Sequence, residues 1–112
     1  MGLDCYVFRA RSKKSFEDER WFDDENGTVT EVWYARKYWD LLHNMSFIKN
    51  IDEDRGDFIQ LSMDNLEEML QFAAHNPDYF DSFNTVPQLC TIINEFEDDY
   101  ENGWHYYFHY SY

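Results

Sequence analysis

This sequence is poor in the residues that mark several specialised classes of small protein. It has only two cysteines, Cys5 and Cys90, and no hydrophobic leader precedes Cys5. A secreted protein held together by disulfides is therefore not expected. The four glycines form no glycine-rich phosphate loop, and no apolar run approaches the roughly 20 residues that a membrane-spanning helix needs. These absences favour an ordinary folded domain with reduced thiols, both of them in the core.

Basic residues are also scarce, and they are confined to one part of the chain. Nine Lys and Arg residues stand against 23 Asp and Glu residues, which gives a formal net charge of −14. No Lys or Arg follows Arg55, whereas eleven acidic residues lie between Gly56 and the last residue. Because phosphate binding requires cations, this balance argues against direct contact with DNA, RNA or anionic membranes. It favours a basic protein as the partner.

Aromatic side chains, by contrast, are abundant. They make up 21% of the chain, and apolar residues make up 44%. A disordered acidic tail would be poor in both, so these fractions indicate a folded protein. A length of 112 residues suits one domain covering residues 1–112.

The stretch Glu31–Ile48 predicts a central helix with Thr30 as its N-cap. At helical spacing its apolar residues form one stripe, composed of Tyr34, Tyr38, Leu41, Met45 and Ile48 and widened by Ala35 and Leu42. We expect Tyr38, Leu41, Leu42 and Met45 to face the apolar residues of a later helix, Leu89, Ile92, Ile93 and Phe96.

Alternation and capping residues predict the remaining elements. Three segments show strand patterns, namely Leu3–Arg9, Asp57–Leu61 and Trp104–Tyr110. A second helix begins after Ser62 and stops at Asn76-Pro77, and a third begins after Thr85, has Pro87 in its first turn and ends at Asn102-Gly103. The predicted class is α+β, with a small antiparallel or mixed sheet of about three strands packed against three helices. The first and last strands are expected to share that sheet.

Three connections join these elements. Asn26-Gly27 indicates a hairpin that folds Trp21 or Phe22 onto the core, or else a mobile loop. Asn50–Asp57 resembles a calcium loop in its aspartate spacing, but Met63 stands where a bidentate carboxylate is required, so a plain turn is expected. Pro77–Asn84 is predicted to be a loop.

No catalytic or metal site emerges from the sequence. His105 and His109 share a strand face, but four residues of strand place them about 13 Å apart, too far for one ion. His75 meets Asp98 and Asp99 only if the tertiary fold unites them. No serine stands in a nucleophile elbow. We therefore predict no catalytic residue, no metal and no cofactor, while an enzyme of unknown chemistry remains a distant alternative.

The acidic residues after Gly56 are the better candidates for a binding function. Glu95, Glu97, Asp98, Asp99 and Glu101 crowd the end of the third helix, where the helix dipole disfavours negative charge. The predicted partner-binding set adds Glu67, Glu68 and Asp78 to these five. The alternative is that the whole cluster serves only solubility.

Four short stretches carry a family resemblance: the opening Met1–Phe8, Glu31–Lys37, His43-Asn44 and the aromatic end Tyr106–Tyr112. They resemble a family of small uncharacterised bacteriophage and prophage proteins that open Met-Gly-Leu-Asp and end in tyrosines. This chain is shorter than the family before its first helix and between its helices. The resemblance implies a phage or mobile-element origin and action in a bacterial cytoplasm. It brings no known activity.

Charge and resemblance together predict a phage-encoded, non-enzymatic inhibitor. Its carboxylates would imitate phosphates and occupy the basic nucleic-acid-binding surface of a host protein, such as a defence nuclease, a CRISPR effector or a transcription factor. The alternative is a phage structural or assembly protein that binds itself or another phage protein.

Overall fold

One antiparallel sheet and four α-helices make up the described part of the chain. The computed structural model describes residues 2–17, 28–76 and 82–112, with the side chains of the last range from residue 84 onward. The strands are β1 (Asp4–Ala10), β2 (Val29–Arg36), β3 (Ile59–Leu61) and β4 (His105–Ser111), and the helices are α1 (Trp39–Asn44), α2 (Ile51–Asp54), α3 (Met63–His75) and α4 (Ser82–Glu101). A 3₁₀ turn covers Lys13–Glu17. The class is α+β, as predicted, with one more strand and one more helix than expected.

The two ends of the chain meet in the middle of the sheet. The strand order is β2-β1-β4-β3, and every neighbouring pair is antiparallel. Val7 of β1 lies between Trp33 of β2 and Phe108 of β4. The prediction that the first and last strands share a sheet is confirmed, and they are direct neighbours.

The long helix predicted at Glu31–Ile48 is wrong over its first half. Residues 29–36 form the edge strand β2, so Thr30 is a strand residue and not a cap. Lys37 then adopts a left-handed backbone conformation with φ of 59°, which ends the strand and changes the chain direction before the helix. Only Trp39–Asn44 is helical, and Tyr38 precedes it without a side-chain capping bond.

The pairing of β2 with β1 contains one irregularity. Between Val7 and Phe8 the register shifts, so that Val32 is an extra residue in β2. The bulge reverses the inside–outside alternation. Trp33 therefore belongs to the core on the helix side, whereas Val29, four residues earlier, belongs to the opposite face. The helix prediction rested instead on the spacing of Tyr34, Ala35 and Tyr38, but Tyr34 and Ala35 are consecutive strand residues, one exposed and one buried.

The main core nevertheless contains most of the predicted residues. Tyr38, Leu41, Leu42, Met45 and Ile48 are buried in one cluster with Leu89 and Ile92, and Ile93 and Phe96 pack against its margin. Tyr34 is the exception, because it points away from the helices and is 40% exposed. α4 packs chiefly on α3 and β2, and the buried Trp33 indole donates a hydrogen bond of 3.1 Å to Thr85.

The other face of the sheet, which we call the outer face, carries a second and smaller cluster. Its buried members are Phe8, Ala10, Phe16, Val29 and Tyr107, with Tyr6 and Phe58 packed against them. Phe16 comes from the 3₁₀ turn. This cluster explains why β1 has apolar side chains on both of its faces.

Local capping signals account for the boundaries of α3 and the end of α4. Ser62 and Asn65 form a capping box at the start of α3, and Asn76 ends it, as predicted. Gly103 has a φ of 84° immediately beyond α4, in agreement with the predicted stop.

Two local predictions were wrong, and a third lies outside the described residues. α4 begins at Ser82 instead of after Thr85, so the predicted loop is helical over residues 82–84. Thr85 lies inside the helix, and its hydroxyl accepts a hydrogen bond from the Trp33 indole instead of capping the helix. The supposed turn Asn50–Asp57 contains α2, because the Asn50 side chain accepts hydrogen bonds from the first helical amides. The predicted hairpin at Asn26-Gly27, with Trp21 and Phe22, lies outside the described residues.

Candidate acidic docking face

α4 presents one side to the core and the other to solvent. Its buried residues Leu89 and Ile92 recur at helical spacing. The solvent side carries four exposed acidic residues, Glu95, Glu97, Asp98 and Glu101. We call these four residues the acidic face.

The carboxylates of the acidic face have no cationic partner in the described part of the chain. None of them forms an ion pair with a described Lys or Arg. The ion pairs seen among the described residues involve three other acids, Asp99, Asp57 and Asp4. Glu97 and Glu101 are one helical turn apart, which corresponds to a rise of about 6 Å. Like charges at this spacing repel one another, so the arrangement is costly for the isolated protein and favourable for a cationic ligand.

Asp99 belongs to the predicted set but occupies a different environment. Its side chain is only 17% exposed, and it lies 3.7 Å from the Arg9 guanidinium. The Tyr106 hydroxyl donates a hydrogen bond to the same carboxylate. Burial raises the pKa of Tyr106, and the bond to Asp99 raises it further. Asp99 therefore connects α4 to the two central strands, which is a structural role.

Two arginines stabilise the end of α4. Arg11 donates to the carbonyl of Asn102, just past the last helical residue. The Arg11 guanidinium lies 3.9 Å from the Trp104 ring centroid and that of Arg9 lies 5.1 Å from it. Cations at a helix C-terminus interact favourably with its dipole. These two cations offset the unfavourable interaction between the acidic cluster and the helix dipole. Because they come from the first part of the chain, the sequence of α4 alone does not reveal them.

The three predicted outlying carboxylates fall into three situations. Glu67 is exposed on α3. Glu68 accepts hydrogen bonds from the backbone and hydroxyl of Ser46, which ties α3 to the segment after α1. Asp78 lies outside the described residues. Of the three, only Glu67 is seen to be exposed and without such a bond.

Tyr100 is an exposed aromatic residue on α4. It is 59% exposed and follows Glu97 by three residues, a spacing that makes neighbours on a helix surface. Phe96 stacks on its ring at 6.4 Å, and His105 meets it edge-on at 5.5 Å.

Other reactive groups do not converge. No group of three or more His, Cys, Asp or Glu side chains within residues 2–17, 28–76 and 84–112 is arranged to hold a metal ion. His105 approaches Gln60, whereas His109 binds the Asp57 carbonyl. Cys5 is buried, as predicted, and burial raises its pKa, but Cys90 is exposed on α4 and the prediction of a core position for it is wrong.

Comparison of the chain with protein-family models, with curated proteins and with solved structures found no match. None of the described helices combines the length and apolar character needed to cross a membrane.

Proposed function

We propose that this protein is a non-enzymatic inhibitor that binds a basic, nucleic-acid-binding surface of another protein through the acidic face of α4. The observation that supports this is the contrast among its carboxylates. Asp4, Asp57, Glu68 and Asp99 each have a hydrogen-bonding or cationic partner. The acidic face keeps its four carboxylates exposed together on one helix.

The geometry also suggests how the face would extend. Only six residues connect α3 to α4, and the two helices pack against each other. Consecutive helices joined this closely run in opposite directions. The start of α3, with Glu67, would then lie beside the C-terminal half of α4, and Asp64 and Glu67 would continue the negative surface. Tyr100 would add an aromatic contact of the kind common in interface centres.

The origin and the target belong to the same proposal. The resemblance to small phage proteins favours a phage-encoded factor acting in a bacterial cytoplasm. Carboxylates on a helix surface would take the place of phosphates on a host nuclease, a CRISPR effector or a transcription factor.

Assembly of the protein by strand pairing is less well supported. The two edge strands of the described sheet carry features that oppose pairing with another chain. β3 has only three residues, and β2 contains the extra residue Val32 together with exposed Glu31 and Arg36.

Affinity capture from a bacterial host lysate tests the proposal. The bait is compared with a face variant that combines Glu95→Gln, Glu97→Gln, Asp98→Asn and Glu101→Gln. A matched control, Glu17→Gln, Glu31→Gln, Asp40→Asn and Glu53→Gln, removes the same charge from exposed positions elsewhere. We expect a basic nucleic-acid-binding protein to be retained by the natural chain and the control and lost by the face variant.

Nucleic acid should compete for the captured protein, because both ligands would occupy one surface. Equal capture by all three baits, or capture that added DNA or RNA leaves unchanged, would contradict the proposal.

A further inference from the structure

The chain contains the tripeptide Glu-Asn-Gly twice, at residues 25–27 and at residues 101–103. Asparagine followed by glycine is especially prone to deamidation, because glycine has no side chain to shield its backbone nitrogen. The first copy lies outside the described residues. The second copy ends α4 beside the acidic face, and its Asn102 and Gly103 are both exposed. Water reaches this pair, so its reactivity depends on the geometry of the backbone.

Deamidation of this pair is an intramolecular substitution. The Gly103 backbone nitrogen attacks Cγ of Asn102, and a bond forms between these two atoms. The bond from Cγ to the amide nitrogen Nδ2 breaks, and ammonia leaves with the proton of the Gly103 N–H. Water then opens the cyclic imide at either carbonyl carbon, which gives aspartate or isoaspartate. The reaction therefore requires a free Gly103 N–H and an Asn102 side chain that turns toward it.

The structure engages both of these groups in hydrogen bonds. The Gly103 N–H donates to the Tyr100 carbonyl at 3.0 Å. The Asn102 side-chain amide donates to the Asp98 carbonyl at 2.7 Å, one helical turn back. The Asn102 backbone N–H donates to the same carbonyl at 3.1 Å, which keeps this residue in the helical path. Attack would break the bond between Gly103 and Tyr100 and would swing the Asn102 amide away from Asp98.

Arg11 completes this cap at the end of α4. The Trp104 N–H donates to the Asp99 carbonyl at 2.8 Å, and together with the Gly103 bond this forms a Schellman motif. The Arg11 guanidinium donates to the Asn102 carbonyl and lies 3.9 Å from the Trp104 ring centroid. A Cβ on Gly103 would lie only 3.0 Å from the same guanidinium. The residues on both sides of the reacting peptide bond are thus held in place.

We propose that Asn102 is a latent deamidation site, which the cap of α4 holds unreactive and which reacts when that cap opens. Helix ends open locally at a lower cost than the whole fold, so the reaction proceeds slowly from the native protein. Both products add a carboxylate next to Glu101. In the isoaspartate product the main chain runs through the former side chain, so the hydrogen bonds of the cap cannot re-form with the same geometry. This inference does not rest on the proposed function.

Peptide mass spectrometry of the full chain measures the reaction at each asparagine in a mildly alkaline buffer, with and without concentrated urea. In urea the two Glu-Asn-Gly copies should deamidate at the same rate, so Asn26 provides the intrinsic reactivity. In the native buffer Asn102 should react at least about tenfold more slowly than in urea, because only molecules with an open cap react. Equal rates for Asn102 in the two conditions would overturn the proposal.

Two variants test whether the cap is the cause. Arg11→Gln removes the donor to the Asn102 carbonyl and the cation beside Trp104, so the native rate at Asn102 should rise severalfold while the rate in urea stays the same. Arg36→Gln removes another exposed arginine, on β2, and should leave both rates unchanged. No rise in Arg11→Gln, or an equal rise in both variants, would show that the cap does not restrain Asn102 and would overturn the proposal.

Discussion

The last turns of α4 hold two kinds of carboxylate that differ in environment although they are neighbours in sequence. Asp99 is largely buried and contacts Arg9 and the Tyr106 hydroxyl. Asp98, one residue earlier, is exposed and forms no ion pair with a described Lys or Arg. A helical rotation of about 100° separates them. The comparison shows that the acidic cluster is two regions, one that holds α4 on the sheet and one that is available to a partner.

The largest effect should come from the buried side of α4. Leu89 is fully buried, so Leu89→Ala should lower the free energy of unfolding by about 2–5 kcal/mol, as loss of buried leucine does. Leu41→Ala, also fully buried, should cost about the same. Urea denaturation measures both. Cys90→Ala, at the exposed position next to Leu89, is the control and should stay within about 0.5 kcal/mol; a similar loss there would mean that α4 is rotated from the orientation described.

Asp99→Asn should come next. Removing its charge weakens the contacts with Arg9 and Tyr106 in a partly buried site, at a cost of about 1–3 kcal/mol. Asp98→Asn, which makes the same chemical change one residue away, should be neutral within about 0.5 kcal/mol. Thermal melting of the two variants compares them directly. Equal melting temperatures for Asp99→Asn and Asp98→Asn would contradict the division of the acidic cluster into two regions.

Tyr106 should contribute a loss of stability at alkaline pH. Its folded pKa is raised, chiefly by burial and then by Asp99, whereas the unfolded value is about 10. The contribution is therefore complete below about pH 10 and is lost as the pH rises toward the folded value. Denaturation midpoints measured through this range should fall less steeply in Tyr106→Phe than in the natural chain. Parallel curves would show that Tyr106 ionises equally in both states.

The smallest effect on stability should come from the face variant. Neutralising Glu95, Glu97, Asp98 and Glu101 relieves repulsion between like charges and breaks no described ion pair. We expect a melting temperature that is unchanged or slightly raised, and raised mostly at low salt because screening weakens surface repulsion. A clear drop would show that these side chains support the fold.

Patterns confined to a few neighbouring residues were predictive, and the shared sheet of the first and last strands was predicted correctly, but the pairing of β1 with β2 was not. The N-cap at Ser62, the stop at Asn102-Gly103 and the alternation of β4 involve residues close in sequence, and each was predicted to within a residue or so. The β2 strand was misread because Tyr34 and Ala35 continue the helical spacing of Tyr38 and Leu41, whereas the strand that pairs with it, β1, lies far away in the sequence. Local propensity does not encode that partner.

The candidate site shows the same division. The helix spacing predicted that carboxylates would crowd the end of α4, and four of the five are exposed there. The exception, Asp99, depends on Arg9 of β1, 90 residues away in sequence. No pattern within α4 predicts that contact. The structure was therefore needed to distinguish the structural Asp99 from the four acids that are available to a partner.

The most direct test of the central claim is the salt dependence of affinity for the captured partner, measured for the natural chain, the face variant and the matched control. Exposed charges are screened over about 8 Å at physiological ionic strength. We predict that the affinity of the natural chain and of the control falls steeply as salt rises, and that the face variant binds weakly with a shallow dependence. A face variant that binds as tightly as the natural chain, with the same dependence on salt, would contradict the account and leave the acidic face a role in solubility alone.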